Sequence, residues 1–393
     1  MNNPTVALNR RGDGAAARRR AVPAAPPGDA VAPICRYFGT CGGCTAQHMP
    51  ASLYADWKRG AVIAALAGAG VDLSVGALID AHGEGRRRAT FHARGREDGG
   101  VECGFMRVRS HEIVEIDACP LFAPELTDAP KVAHALAVAL KGLDKPLDIQ
   151  TTATLNGLDI DIRGCGRLGP AETRKLLAVA ELFDLARLSN HGVSLIERRP
   201  PWIAFGAARV VAPAGGFLQA TALGETTLAG LAGQALAGAG RIADLFCGSG
   251  AFALRLAAAH PVFAVDNDAA AIAALRRAAA DTPGLRNVEA HARDLYVSPL
   301  PAADLSRCEA VLFDPPRAGA AAQAREIAAS GVMRVVAISC NVETFARDAR
   351  TLIDGGFACD VVTPIDQFRY SSHVEIFAAF SRDKPKRRRS VLG

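Results

Sequence analysis

The sequence predicts an α/β protein: an open parallel sheet in the C-terminal half, preceded by a smaller N-terminal and central α/β domain. Two observations carry this. Short apolar runs at 262–265, 311–313 and 335–338 each break off into small polar or charged residues, and a strand-like segment from Ile242 runs into a glycine-rich turn at Gly248. Buried parallel strands read as continuous apolar runs because both faces are covered, and ligands gather beyond their carboxyl ends. The stretch from 35 to about 210 instead mixes helical and strand patterns behind a group of cysteines.

The chain has 393 residues, half of them hydrophobic, which suggests two or three domains with sizeable cores. No uncharged apolar run reaches the roughly 18 residues of a membrane span. The basic N-terminus lacks the apolar region of a secretory signal. The chain therefore reads as cytosolic (cytoplasmic), and as a monomer. Its ten cysteines then point to metal or catalysis rather than disulfides. Residues 1–30 hold five Arg and two Asp, and residues 382–393 hold six Lys/Arg and one Asp, so the body is slightly acidic although the whole chain carries +5. Basic ends on such a body suit a polyanion partner, or serve only as solvated tails. The expected organisation is a disordered basic tail (1–30), a central domain (31–210), a catalytic domain (211–382) and a second basic tail (383–393).

Cys35, Cys41 and Cys44 follow a C-x5-C-x2-C spacing with Gly42 and Gly43 before the last. Glycines let the backbone fold tightly enough for thiolates to converge on a metal. Cys119, just before Pro120, is the first candidate for a fourth ligand and Cys103 the second. Spacing alone leaves iron–sulfur and zinc both open. An apolar stripe predicts a helix over about 51–70, with Lys58 and Arg59 exposed and a possible packing on the catalytic domain. Arg86-Arg87-Arg88 through Arg94 and Arg96 interleave with Phe91 and His92, as in a strand tracking a nucleic-acid backbone or a solvated charged strand. Strand-like pieces follow near 102–106 and 111–116. Asn156-Gly157 predicts a hairpin between 148–155 and 158–162, and residues 170–188 read as a helix.

The catalytic half opens with Gly215-Gly216-Phe217-Leu218-Gln219 and a helix over 222–238. Asp244-Leu245-Phe246-Cys247-Gly248-Ser249-Gly250 then reads as strand, glycine turn and helix, where a ligand can approach backbone N–H groups. Asp266 ends the second strand, in place to bind ribose hydroxyls, and Asp294 follows the third, near an adenine-sized group. Phe252 and Ala253 stand where a dinucleotide fingerprint would have its third glycine, which argues against NAD. Asp314-Pro315-Pro316-Arg317 is a stiff turn that holds Asp314 and Arg317 toward the sheet's carboxyl edge. Cys340, in Ser339-Cys340-Asn341, is either an inert buried thiol or a nucleophile. Glu375 begins an apolar run; burial would raise its pKa and make it a usable base.

Together these segments resemble the RNA uracil-5 methyltransferase family over residues 35–380. The matching pieces are the CGGC segment, Phe217-Leu218-Gln219, Asp244 to Gly248, Asp314-Pro315-Pro316-Arg317, Ser339-Cys340-Asn341 and His373-Val374-Glu375. The branch resembled is the iron–sulfur one that acts on 23S rRNA. The resemblance implies a Rossmann-like class I fold that uses S-adenosylmethionine, and a 4Fe-4S cluster held by Cys35, Cys41, Cys44 and Cys119. It also implies Cys340 as nucleophile toward C6 of uracil and Glu375 as the base that removes the C5 proton. Gln219, Phe246, Ala251, Asp266, Asp294 and Asp314 fall at donor-binding positions and Arg317 at the substrate. Gln219 could bond the base instead of the donor, and Asp314 and Arg317 could hold either the uracil edge or the donor's charged end. The sequence departs from the family in three places. Only a basic tail, no TRAM barrel, precedes Cys35; Ala251 stands where Asn is frequent; and Arg369-Tyr370-Ser371 replaces Pro-His-Thr.

Four rival readings are weaker. Amino-group methylases present an aromatic residue where Arg317 stands, and cytosine-5 enzymes carry a second cysteine where Pro316 stands. A non-catalytic, metal-dependent RNA-binding protein would have no need of both Cys340 and Glu375. Nothing in the sequence supports a redox role for Cys35–Cys44. Transfer RNA is the alternative target.

Overall fold

The structure, a computed structural model, describes residues 30–143 and 145–382. Apart from Ala30, both predicted basic tails lie outside the described residues. Helix α1 (Ala51–Gly68) buries Tyr54, Lys58, Val62 and Leu66, spaced four apart on one face, together with Trp57. This corrects the expectation of an exposed Lys58: the lysine lies within the buried stripe. After α1, the two-residue strands β1 (Ser74–Val75) and β2 (Ile79–Asp80) join the sheet of the C-terminal half.

The central segment forms its own seven-stranded sheet, built from β3 (Arg88–Gly95), β4 (Val101–Met106), β5 (Ile113–Glu115), β6 (Leu147–Thr154), β7 (Gly157–Arg163), β8 (Arg187–Asn190) and β9 (Val193–Glu197), in the order β5-β4-β3-β6-β7-β8-β9. The β6–β7 hairpin turns at Leu155-Asn156, one residue before the expected Asn156-Gly157, with Thr154 opposite Gly157, which opens β7 with a positive φ. Helices α2 (Ala129–Leu140) and α3 (Pro170–Leu182) share a core with Phe91, Ile149, Ile160, Ile162 and Leu188 of this sheet. The predicted helix over 170–188 stops early: Asp184 takes a left-handed φ of 50° and residues 187–190 continue as β8.

A small hairpin, β10 (Trp202–Phe205) and β11 (Ala208–Val211), leads to α4 (Ala222–Ala235). The second sheet follows: β12 (Ile242–Leu245), α5 (Ala253–Leu256), β13 (Val262–Asp266), α6 (Ala269–Asp281), β14 (Val288–Ala292), α7 (Ala302–Leu305), β15 (Ala310–Phe313), α8 (Ala321–Ala329), β16 (Arg334–Ser339), α9 (Val342–Asp354), β17 (Val361–Asp366) and β18 (Glu375–Ser381). Its order is β1-β17-β18-β16-β15-β12-β13-β14, with β2 also on β17. Strands β12 to β16 run parallel, and β18 is antiparallel to β16 and β17. Consecutive β16 residues enter opposite cores, Ala337 one and Ile338 the other, which explains the unbroken apolar run. The chain's direction reverses between β12 and β15, and loops beyond such a switch point open a crevice at the carboxyl edge.

Candidate active site

Topology brings the reacting candidates together. Ser339 of β16 is paired with Ile376 of β18. Cys340 follows Ser339 and Glu375 precedes Ile376, so both enter at this end of the β16–β18 pair, near enough for the Glu375 charge to act on the Cys340 thiol. The parallel neighbour β15 ends at Phe313, so Asp314 enters at the same edge. Asn341 caps α9 by accepting from the N–H groups of Glu343 and Thr344. Its Nδ2 also donates to the Arg317 carbonyl at 3.1 Å, which ties the Asp314–Arg317 turn beside Cys340. The Arg317 guanidinium lies 3.3 Å from the His373 imidazole.

The electrostatics are those of a buried acidic site. Glu375 is 2 % exposed, and its pKa is driven well above the usual carboxylate range by burial and then by Asp314. Burial lifts Asp314 to about 7, opposed by a hydrogen bond from Gln219. Cys340 is half-buried, and its thiol is pushed up to about 11 by burial, then by Glu375 and Asp314, with Arg317 opposing. These protein groups by themselves favour the thiol: burial and two carboxyls outweigh one guanidinium.

A residue missed at the sequence level joins these groups. Gln367, fully buried, donates to Glu375 Oε2 at 2.8 Å and to Gln219 Oε1 at 2.7 Å. Gln219 in turn donates to Asp314 Oδ2 at 2.8 Å. The available signal was a polar residue just past the apolar run 361–365, the same strand-end pattern that flagged Asp266 and Cys340.

On the other side of the switch point, the Gly248 N–H donates to Asp266 Oδ2 at 2.9 Å. Gly248 and Gly250 both have positive φ, and so does Phe246 at 63°. A Cβ on Gly248 would meet nothing within 4 Å, so this stretch of backbone borders open space. The helix after the turn is a short one of four residues. Phe246 packs on Tyr296, Ala251 is half-buried, and Asp294 is exposed with its Oδ1 accepting from the Tyr296 N–H. Phe246, Ala251 and Asp266 thus cluster at the glycine turn, with Asp294 reached through Tyr296. Gln219 and Asp314 belong to the Glu375 network.

The five arginines of the basic run are engaged within the protein. Arg87 binds the Gln219 carbonyl and Glu225, Arg88 binds the Leu218 carbonyl and the Phe217 ring, and Arg94 and Arg96 pair with Glu102 and Glu115. Arg86 lies over the Phe368 ring.

Cys35, Cys41, Cys44 and Cys119 line one cavity of about 830 Å³, which Arg86 and Arg317 also border; Cys103 does not. Gly42 is needed there, because a Cβ would come within 2.9 Å of the Met106 carbonyl oxygen. Burial, and to a smaller extent the neighbouring cysteines, push Cys41 and Cys44 up and Cys119 to about 11. Among the described residues, no three His, Cys, Asp or Glu side chains converge closely enough to hold one metal ion.

The family described as tRNA (Uracil-5-)-methyltransferase matches residues 215–382. An uncharacterized RNA methyltransferase of Brucella suis is 46 % identical over 352 residues, 90 % of this chain and 85 % of the relative. The 23S rRNA (uracil(1939)-C(5))-methyltransferase RlmD of Pseudomonas savastanoi is 33 % identical over 376 residues, 90 % of this chain and 81 % of the relative. The crystal structure of Pyrococcus abyssi tRNA (uracil-54, C5)-methyltransferase with S-adenosyl-L-homocysteine superposes with a TM-score of 0.64 at 20 % identity, over 86 % of this chain and 85 % of that one, and so shares the fold. The chain belongs to the RNA uracil-5 methyltransferase family, whose members are S-adenosylmethionine-dependent enzymes.

Proposed function

We propose that the protein methylates C5 of a uridine in 23S rRNA. The observation that supports this reading is the meeting of the ends of β15, β16 and the start of β18 at one edge, where Asp314, Cys340 and Glu375 act on one another electrostatically. C5 of uracil is a weak nucleophile. Addition of the Cys340 thiolate to C6 pushes the C5–C6 electron pair onto C5 and O4 as an enolate. The sulfonium of S-adenosylmethionine supplies an electrophilic methyl group, which C5 takes with expulsion of the neutral thioether. Glu375 then removes the C5 proton, the C5–C6 double bond re-forms, and Cys340 leaves as thiolate. Arg317 already opposes the upward shift of the thiol, and a docked sulfonium adds a second positive charge favouring thiolate.

Phe246, Ala251, Asp266 and Asp294 hold the donor along the glycine turn, with Gln219 on its methyl side. Asp314 and Arg317 face the pyrimidine edge. The target base must leave its stack to reach Cys340. The four cysteines facing one cavity support a 4Fe-4S cluster: a cuboidal cluster separates its thiolates more widely than a single ion does. Cys35, Cys41, Cys44 and Cys119 would hold it as a structural centre, with no step in the reaction.

Ribosomal RNA is favoured by the cysteine segment and by the RlmD relative. Transfer RNA is the second reading, supported by the family description. The test incubates purified protein with methyl-labelled S-adenosylmethionine and unmodified 23S rRNA or tRNA, followed by nucleoside analysis. Label in 5-methyluridine from rRNA is expected. Label from tRNA would keep the mechanism and change the target, and label in cytidine or adenosine would overturn the assignment of Cys340 and Glu375.

A further inference from the structure

We propose that Gln367 is a specificity-determining positioning residue: it locks Asp314 and Glu375 as hydrogen-bond acceptors, and so admits a pyrimidine that carries a ring N–H and excludes cytosine. The proposal rests on the function proposed above.

The lock starts at the backbone. The Ala220 N–H donates to Gln367 Oε1 at 3.0 Å. A peptide N–H can only donate, so this contact decides which end of the Gln367 amide is oxygen. The nitrogen must then face the other way, and its two hydrogens go to Glu375 Oε2 and Gln219 Oε1 at 2.8 and 2.7 Å. Gln219 has its oxygen occupied as acceptor, so its own nitrogen is turned to Asp314 Oδ2. Every link from Ala220 to Asp314 has one polarity. Gln367 is fully buried and Gln219 is 4 % exposed, so water has little access to repair a broken link.

The lock matters because burial favours the neutral form of both acids. A protonated Asp314 could donate to the bare N3 of cytosine. A carboxylate instead accepts from the N3–H of uracil and sets lone pair against lone pair with cytosine. A buried polar group left unpaired costs roughly 1–3 kcal/mol, enough to discriminate the two bases. Glu375 must likewise be a carboxylate to take the C5 proton. It is faced by Asp314 and Arg317 from the loop after β15 and by Cys340 from the end of β16. Of its neighbours, only Gln367 gives it a side-chain hydrogen bond that favours the charged form.

The experiment compares wild type, Gln367→Met and Gln367→Glu on an unmodified 23S rRNA transcript. It measures 5-methyluridine and 5-methylcytidine together, and kcat and KM from pH 5.5 to 9.5. Gln367→Met removes the amide, while Gln367→Glu keeps its volume and its acceptor for Ala220 but offers at most one hydrogen, when protonated, where the amide gave two. Both variants are expected to lose at least about tenfold in kcat with KM for S-adenosylmethionine unchanged. Their acidic limb should move up by about one pH unit, because the lost hydrogen bond favoured the Glu375 carboxylate. 5-Methylcytidine should rise relative to 5-methyluridine. A folded variant with the wild-type limb and base ratio would overturn the proposal, even if kcat falls. If Gln367→Met fails to fold, Gln367→Glu decides alone. Wild-type protein that makes no 5-methyluridine on any RNA would overturn the proposed function itself.

Discussion

The backbone N–H of Thr45, one residue past Cys44, donates to the carbonyl of Tyr370 at 2.7 Å. Ala46 donates to the same oxygen at 3.1 Å. Tyr370 holds a left-handed φ of 61°, which a non-glycine residue keeps only when its surroundings impose it. The cysteine segment thus grips the loop that runs from Gln367 to Glu375, although the two are some three hundred residues apart in the chain.

This contact predicts the effect of Cys41→Ser. The cysteine takes no step in the reaction, yet loosening its segment releases the loop that leads to Glu375. We expect kcat on RNA to fall at least about tenfold, roughly 1.4 kcal/mol of barrier. Titration of the variant with S-adenosylmethionine should give wild-type affinity, because the glycine turn lies elsewhere. Normal RNA binding and methylation by folded Cys41→Ser would sever the coupling.

A second anchor of the loop is Lys58. It forms a buried ion pair with Asp366 and also donates to the carbonyls of Phe368 and His373 at 3.0 and 2.8 Å. Tyr54 adds a 2.6 Å bond to Asp366 and accepts the Tyr370 N–H at 2.7 Å. Burial lowers Lys58 to about 8, with Asp366 opposing that shift. Lys58→Met leaves Asp366 without its counter-ion, a loss of about 3–5 kcal/mol. Thermal unfolding should fall by roughly 10 °C; a variant within a degree or two of wild type would show that the pair does not hold the loop.

These anchors mark where sequence reasoning reached its limit. Cys340, Asp314 and Asp266 were legible because each follows an apolar strand, a local pattern that the parallel sheet turns into shared position. Glu375 was legible as an acid opening such a strand, but its meeting with Cys340 depends on antiparallel register, which no local pattern encodes. Lys58 was read as exposed because a lysine on an apolar face usually is, and its partner Asp366 is 308 residues away. The strands β1 and β2 are two residues each, too short for any periodicity. Charge counting offered nucleic-acid contact or a solvated strand for residues 86–96; it carried no sign that the Arg87 and Arg88 guanidiniums hold the carbonyls of Gln219 and Leu218, some 130 residues away.

The glycine turn offers a separate test. Gly248 has a φ of 52° and borders open space. Gly248→Ala therefore fits sterically and costs only the left-handed penalty, about 1–2 kcal/mol. Its methyl group would project into the space assigned to the donor. Calorimetric titration should show S-adenosylmethionine affinity reduced at least about tenfold (by roughly 1.4 kcal/mol) in a protein that still folds. Unchanged affinity would move the donor away from this turn.

The last prediction concerns what Glu375 does to stability. Burial, and then Asp314, outweigh the hydrogen bond from Gln367, so the folded pKa of Glu375 lies above its unfolded value. The sign follows from proton counting: between those two values the native state binds more protons than the unfolded chain, so stability falls as pH rises through that window. Below the unfolded value both states are protonated and nothing is lost. Glu375→Gln removes the titration while keeping an oxygen to accept from Gln367. The variant should therefore melt higher than wild type at pH 7–8, and the gain should vanish toward pH 4. It should also be unable to take the C5 proton, so the Cys340–RNA adduct should accumulate and survive denaturing electrophoresis. A variant whose stability gain is the same at every pH would mean that burial does not raise the Glu375 carboxyl, and an absent adduct would remove it as the base.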